Sequence, residues 1–175
     1  MDKQAWRKIA MTVRRSTDQE AAHRRDTAIV ETLIQILHTQ KAQHVAIFYP
    51  MREEVDVRGI ADHVTVYYPK IIDNAIVFFK DHGSFVSGPF RTTVPAHDQP
   101  TPLSMLDVVI VPGLVFDASR HRIGYGKGYY DELLTRFSGL SIGVCADDLI
   151  VDRVPQKAHD QAVDMVVSER RVLKG

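Results

Sequence analysis

Three short apolar runs, each followed at once by a proline, constrain this chain more than any other feature. Residues 44–49 run into Pro50, residues 64–68 into Pro69, and residues 107–111 into Pro112 and Gly113. The runs are rich in β-branched and aromatic side chains and lack helical spacing, which marks them as strands buried on both faces. Proline has no N–H to give to a ladder, so each strand is expected to stop where its proline stands. Further strands are expected at 75–80, 140–145 and 163–167.

Helical periods fill the intervals. Trp6, Ile9, Ala10 and Val13 fall at i, i+3, i+4 and i+7, one apolar stripe on a helix whose other faces carry Lys and Arg. Ser16 and Thr17 are each followed three residues later by Gln19 or Glu20, a capping-box arrangement for a second helix. That helix should run to about Thr39 and bury Ala22, Ile29, Leu33, Ile36 and Leu37. Asp56 is placed to cap a short helix toward His63, and residues 129–137 read as another. Residues 81–102 are rich in Gly, Pro, Ser and Thr and are expected to form a long surface excursion with at most a short strand. Strands alternating with helices imply a three-layer α/β/α fold with a mostly parallel central sheet and an N-terminal helical pair. At 175 residues, 45% of them hydrophobic, one domain spanning 1–175 is expected.

Charge narrows the partners. Lys plus Arg and Asp plus Glu are both 22, so no large positive field exists to hold nucleic acid or a membrane surface. The balance is local, however, because residues 1–44 carry eight basic groups against five acidic ones. The charge-free run 108–116 is far shorter than the roughly 18 residues that span a bilayer. The single Cys145 cannot form an internal disulfide, and charges at Asp2, Lys3, Arg7 and Lys8 interrupt any signal peptide, so a cytoplasmic protein is expected. The eight His residues show no His-x-x-His or Glu-x-x-His pairing, which gives zinc or di-iron chemistry little support.

The chemistry concentrates in Arg122-Ile123-Gly124-Tyr125-Gly126-Lys127-Gly128-Tyr129-Tyr130-Asp131, a loop entering a helix. Three alternate glycines let a ligand lie against backbone amides, and the helix N-terminus with Arg122 and Lys127 adds positive charge. Alone, three glycines read equally as a tight turn with an incidental lysine. The flanking Arg122 and Asp131 favour a phosphate site. The loop is neither a Walker A loop, since Gly128 follows Lys127, nor a dinucleotide fingerprint. Asp131 is placed either to share a magnesium ion with a phosphate or simply to favour the helix N-terminus by its charge.

The run Val111-Pro112-Gly113-Leu114-Val115-Phe116-Asp117, continued by His121 and the glycine loop, resembles the signature of the 5-formyltetrahydrofolate cyclo-ligase family. Lys3 and Arg7 resemble that family's N-terminal Lys-x-x-x-Arg element, and Glu54-Val55-Asp56 its segment after the first strand. Gly88-Pro89 and the pairs His159-Asp160 and Val163-Asp164 follow in the family's order. The resemblance implies an ATP-dependent ligase of one-carbon metabolism that turns 5-formyltetrahydrofolate into 5,10-methenyltetrahydrofolate with magnesium, releasing ADP and phosphate. It implies small-molecule partners only, in a monomer or weak homodimer.

Carried over by position, Lys3, Arg7, Arg122, Gly124, Gly126, Lys127, Gly128, Tyr130 and Asp131 would hold ATP. Asp131 and Asp160 would hold magnesium. Tyr49, Met51, Glu54, Tyr125, Gly126, Lys127, Gly128 and Tyr129 would receive the folate, with Glu54 on the pterin. Lys127, Arg122 and Tyr129 form the expected catalytic set. Three positions depart from the family pattern: Val94 stands where an acid is usual, Glu132 where Arg commonly follows the Tyr-Tyr-Asp run, and Trp6 where Leu is common. A relative that binds folate or nucleotide for regulation but has lost turnover is the alternative these departures permit.

Overall fold

In the computed structural model, which describes residues 1–51, 53–89, 92–96 and 99–175, the chain opens with two helices, α1 (Lys3–Ser16) and α2 (Gln19–Thr39). Both are capped by aspartate: Asp2 accepts from the Ala5 amide and Asp18 from the Ala21 amide, each at 2.8 Å. The capping box expected at Ser16 and Thr17 does not form. Their hydroxyls bond back to the Val13 carbonyl at 2.9 Å and close α1, leaving the carboxylate of Asp18 at the positive end of α2. Ile29, Leu33 and Leu37 are fully buried one turn apart along α2, each contributing roughly 1.5–3 kcal/mol through its burial. Ala22 and Ile36 are half-buried.

The strands are β1 (His44–Ala46), β2 (Thr65–Ile72), β3 (Ala75–Lys80), β4 (Phe85–Ser87), β5 (Thr93–Pro95), β6 (Pro100–Thr101), β7 (Val108–Val111), β8 (Val115–Asp117), β9 (Arg122–Ile123), β10 (Leu140–Val144), β11 (Ile150–Val151), β12 (Met165–Val167) and β13 (Val172–Lys174). A third helix, α3 (Tyr129–Arg136), lies between β9 and β10. Eight strands form the central sheet in the order β13-β12-β10-β7-β1-β2-β3-β6. The five from β12 to β2 are parallel, and β13, β3 and β6 join the edges antiparallel. Alternation along each strand feeds two cores: Val45 and Ile47 pack with α2 on one face, while Ala46 packs with Leu133 of α3 on the other. The three layers are therefore those expected. A small sheet, β11-β8-β9, lies outside the central one, and Ala10 of α1 packs into its core.

Pro69 does not end β2, which runs on to Ile72 opposite β3. Asp81 donates to the Val66 carbonyl at 3.0 Å, and this phase puts Pro69 opposite Phe78 at a position where no ladder bond to β3 is needed. The missing N–H instead faces β1, just beyond the bond from the Ile47 amide to the Tyr67 carbonyl at 2.8 Å. Proline thus shortens the β1–β2 ladder, and β1 stops at Ala46 rather than at residue 49. The short helix after Asp56 is a 3-10 turn, Arg58–Asp62, capped at Val57 without a side-chain bond. Asp56 bonds the amide and the guanidinium of Arg58 instead. The described residues between 81 and 102 are more structured than expected: β4 pairs with β5, and β6 joins the central sheet.

Gly143 of β10 lies against the ring of Phe116, where an added Cβ would meet Cζ at 2.6 Å. Phe116 is 0% exposed, so its ring has no solvent into which to retreat. Gly143→Ala is expected to lower Tm by at least about 4 °C, the scale of core overpacking. An unchanged Tm would mean the ring has room to shift.

The chain begins the sheet at β1, adds β2 on one side, then crosses to β7, β10 and β12 on the other. The winding reverses between β1 and β7, and in open parallel sheets a ligand crevice forms outside the carboxyl ends of the strands at such a point. Its walls here are the loop through Tyr49 and Met51 after β1 and the loop through Gly113 after β7.

Candidate active site

A stripe of α1 supplies cations to this crevice. Lys3, Arg7, Ala10 and Arg14 lie at i, i+4, i+7 and i+11, so the stripe that buries Ala10 also turns three basic side chains inward. The Arg7 Nε donates to the Gly124 carbonyl at 2.9 Å. Arg14 is 7% exposed and donates twice, to the Gly113 carbonyl at 2.9 Å and to the Tyr125 hydroxyl at 2.7 Å. Lys3 pairs with Asp160 at 2.7 Å, tying the start of the chain to the loop between β11 and β12.

The glycine loop beside this helix has the backbone that its sequence demands. Gly126 and Gly128 have φ of 102° and 72°, a region side chains resist, and Gly128 is the N-cap of α3. An added Cβ would meet nothing within 4 Å at Gly124 or Gly128, so the loop has open space above it. At Gly126 the Cβ would come within 3.5 Å of the Arg7 guanidinium, which packs on the loop from below. Lys127 lies exposed between these two glycines. Arg122 is held inside by Asp131 at 3.1 Å and stands 5.9 Å from the Tyr130 ring centroid. Burial pushes the Tyr130 phenol above its ordinary value. Tyr129 and Tyr130 both pack against the core beneath α3.

Glu54 faces the loop from across the crevice. It is 8% exposed, with Oε1 accepting from the Met51 amide at 2.7 Å and Oε2 from the Tyr125 hydroxyl at 3.3 Å. Burial raises its carboxyl, opposed by the Met51 amide, the charge of Arg14 and the Tyr125 hydroxyl. The Tyr125 hydroxyl is pushed up to about 12 by its own burial and by Glu54, although the rest of the residue is exposed. An aromatic wall adjoins: Tyr49 lies 5.2 Å from Phe85 and 6.0 Å from Tyr68, with Arg58 stacked 4.6 Å over the Tyr49 ring. Met51 is 39% exposed at the mouth.

Of the two carboxylates expected to hold magnesium, Asp131 uses Oδ1 for Arg122 and for the Gln161 amide at 3.0 Å. Asp160 Oδ2 takes Lys3 and the Lys157 amide at 2.8 Å. Neither belongs to a cluster of three or more metal-ligating side chains among the described residues. The donor set fits a hard cation of the kind that keeps its waters and needs only one or two carboxylates beside a phosphate. Burial by itself would raise the Asp160 carboxyl, but the Lys3 bond and the Lys157 amide outweigh it and hold it below the ordinary range. Such a carboxylate stabilises the fold above its unfolded value near 4, and that contribution is lost as pH falls through its lower folded value. Protection of the amides in the second turn of α1 against exchange should therefore fall below about pH 4, and in Lys3→Ala it should already be lower at neutral pH. Equal protection in the two proteins would contradict the anchor.

Arg14, Phe85 and Tyr68 are site residues that the sequence reading missed. Arg14 had a signal, a charge four residues after Ala10 on an apolar stripe. Phe85 and Tyr68 had none, since their meeting depends on how residues 81–102 fold back. The departures from the family pattern lie outside this network. Glu132 is paired with Arg136 at 2.6 Å on the outer face of α3. Val94 packs in the hairpin, 2.7 Å from where a Cβ on Gly88 would stand, and Trp6 packs partly buried against the small sheet. Phe90 and Arg91, which continue the Gly88-Pro89 element, lie outside the described residues.

Fold and site together define a doubly wound α/β protein whose switch-point crevice is floored by glycine and lined by cations. The sequence profile of the 5-formyltetrahydrofolate cyclo-ligase family matches residues 1–169, and the chain belongs to that family. It is 29% identical to the 5-formyltetrahydrofolate cyclo-ligase of Mycoplasma genitalium over 84% of this chain and 86% of that one. The Saccharomyces cerevisiae 5-formyltetrahydrofolate cyclo-ligase is 35% identical over 36% of this chain, and the match spans only 34% of that protein's length. In three dimensions it is similar to the 5,10-methenyltetrahydrofolate synthetase of Aquifex aeolicus, with a TM-score of 0.87 and 29% identity over 99% of this chain and 93% of that one.

Proposed function

We propose that the protein uses ATP and magnesium to cyclise 5-formyltetrahydrofolate to 5,10-methenyltetrahydrofolate, releasing ADP and phosphate. One observation carries this beyond family membership: Arg7 of α1 and Arg122 meet at an open glycine loop, and Arg14 ties that loop through Tyr125 to the buried Glu54 across the crevice. Cations and bare amides suit a triphosphate, and a carboxylate suits the paired N–H donors of a pterin.

Phosphoryl transfer asks a protein for alignment and charge rather than for a nucleophile. In this reading the formyl oxygen attacks the γ-phosphorus and ADP leaves. N10 then closes on the activated carbon of the N5-iminium phosphate, and phosphate departs with the former formyl oxygen. Lys3, Arg7, Arg122 and Lys127 hold the phosphates, with the amides of Gly124, Gly126 and Gly128 beneath them and Tyr130 packed alongside. Magnesium supplies charge neutralisation at the phosphates when bound. Asp131 would hold it, together with Asp160 once Lys3 is exchanged for the phosphates. Glu54 anchors the pterin, while Tyr49, Met51, Tyr125 and Tyr129 shape the folate pocket and exclude water. Residues 1–175 act as one domain on small molecules alone. We place the protein in the cytoplasm as a monomer or weak homodimer. No helix among the described residues is long and apolar enough to cross a membrane.

The reading is tested by mixing protein, ATP, magnesium and 5-formyltetrahydrofolate and following methenyl absorbance in the near ultraviolet. A rise that needs all four components is expected. No rise, with folate still bound, would contradict it.

A further inference from the structure

Arg14 lies outside the motifs that carry the family resemblance, yet it is the buried hub of the crevice. A guanidinium only donates, so the Tyr125 oxygen must accept from it, and the single phenolic proton is thereby directed at Glu54 Oε2. The Met51 amide donates to the other oxygen. Both of these bonds to Glu54 are therefore donated to its carboxylate oxygens, a pattern that favours the charged form against burial. The groups facing Glu54 are Met51 from its own loop, Arg14 from α1, Tyr125 from the glycine loop and Tyr130 from α3. Arg14 is the cation among them. Its second bond, to the Gly113 carbonyl, fixes it to the loop after β7, so one planar group joins that wall of the crevice to the glycine loop.

We propose that Arg14 is a positioning residue which, acting through the Tyr125 hydroxyl, favours the carboxylate form of Glu54 and aims it at the pterin of the folate substrate. This rests on the proposed function for the identity of the substrate, but the action of Arg14 on Glu54 does not. Arg14→Met removes the charge and both bonds while keeping an unbranched apolar stem. Tyr125→Phe removes only the hydroxyl link.

Carbon-13 NMR of glutamate-labelled protein, with the Glu54 signal assigned by its loss in Glu54→Gln, reads the titration directly. The Glu54 midpoint should rise by about two pH units in Arg14→Met and in the same direction in Tyr125→Phe, with partial return in Arg14→Lys. In turnover, Arg14→Met should raise the KM for 5-formyltetrahydrofolate about tenfold at neutral pH while the KM for ATP stays within about twofold. The folate defect should shrink as pH rises and Glu54 ionises, whereas a purely structural role would move both KM values alike at every pH. Coincident Glu54 midpoints in wild type and variants overturn the proposal, whether or not the enzyme turns over. A shifted midpoint in a protein without cyclo-ligase turnover overturns the functional reading and upholds the role of Arg14. Should Arg14→Met fail to fold, the titration of Tyr125→Phe decides alone.

Discussion

Lys127→Ala should lower kcat for methenyl formation by at least about tenfold, or about 1.4 kcal/mol of transition-state stabilisation, while shifting Tm by no more than a few degrees. The two effects separate because Lys127 is exposed on a loop whose path is set by its neighbours. The positive φ of Gly126 and Gly128 and the Arg7 bond to the Gly124 carbonyl hold the backbone without it. What the substitution removes is a formal charge beside the amides, and charge spread over the transferring phosphoryl oxygens is what the site must meet. Lys127→Arg should fall between the two, since it keeps the charge but replaces a compact ammonium with a planar fork. Unchanged kinetics in the alanine variant would mean that the side chain points away from the phosphates.

Asp131→Asn should cut turnover at fixed magnesium by at least about tenfold and raise the magnesium concentration needed for half-maximal rate. The amide oxygen of asparagine can still accept from Arg122 and from the Gln161 amide, so the cost to folding should be on the order of 1 kcal/mol, a few degrees in Tm. If activity and Tm instead fall together, with no change in magnesium dependence, Asp131 is an anchor for Arg122 and for the loop between β11 and β12 and nothing more.

The secondary structure was legible wherever a local rule decided it. The alternation of two periods announced the layers, and the glycine loop was visible because three positions without Cβ are a strong local constraint. The errors arise where a distant partner decides. Pro69 has a stop signal in its own sequence, yet its effect depends on which neighbouring strand its nitrogen faces, and only the β2–β3 register shows that. β8, β9, β11 and β13 are two or three residues long and gain their stability from pairing, so no run of residues marks them. Ser16, Thr17 and Asp18 could each have capped α2, and the competition was settled by where α1 ended.

The site divides along the same line. The residues of the glycine loop were found together because they are adjacent in the chain. Glu54 and Arg14 meet through Tyr125, across 71 and 111 residues, and no spacing rule joins them. The pairing of Lys3 with Asp160 spans 157 residues and was missed for the same reason. Both residues had been singled out, but for separate roles, one toward phosphates and one toward a metal.

The most direct test of the central claim is a crystal structure of the protein soaked with a non-hydrolysable ATP analogue, magnesium and a reduced folate. The account predicts triphosphate oxygens on the amides of Gly124, Gly126 and Gly128, Asp131 on the metal, and the pterin against Glu54. Nucleotide and folate seated elsewhere, with Arg7 and Arg122 making only the contacts they already make within the chain, would contradict it.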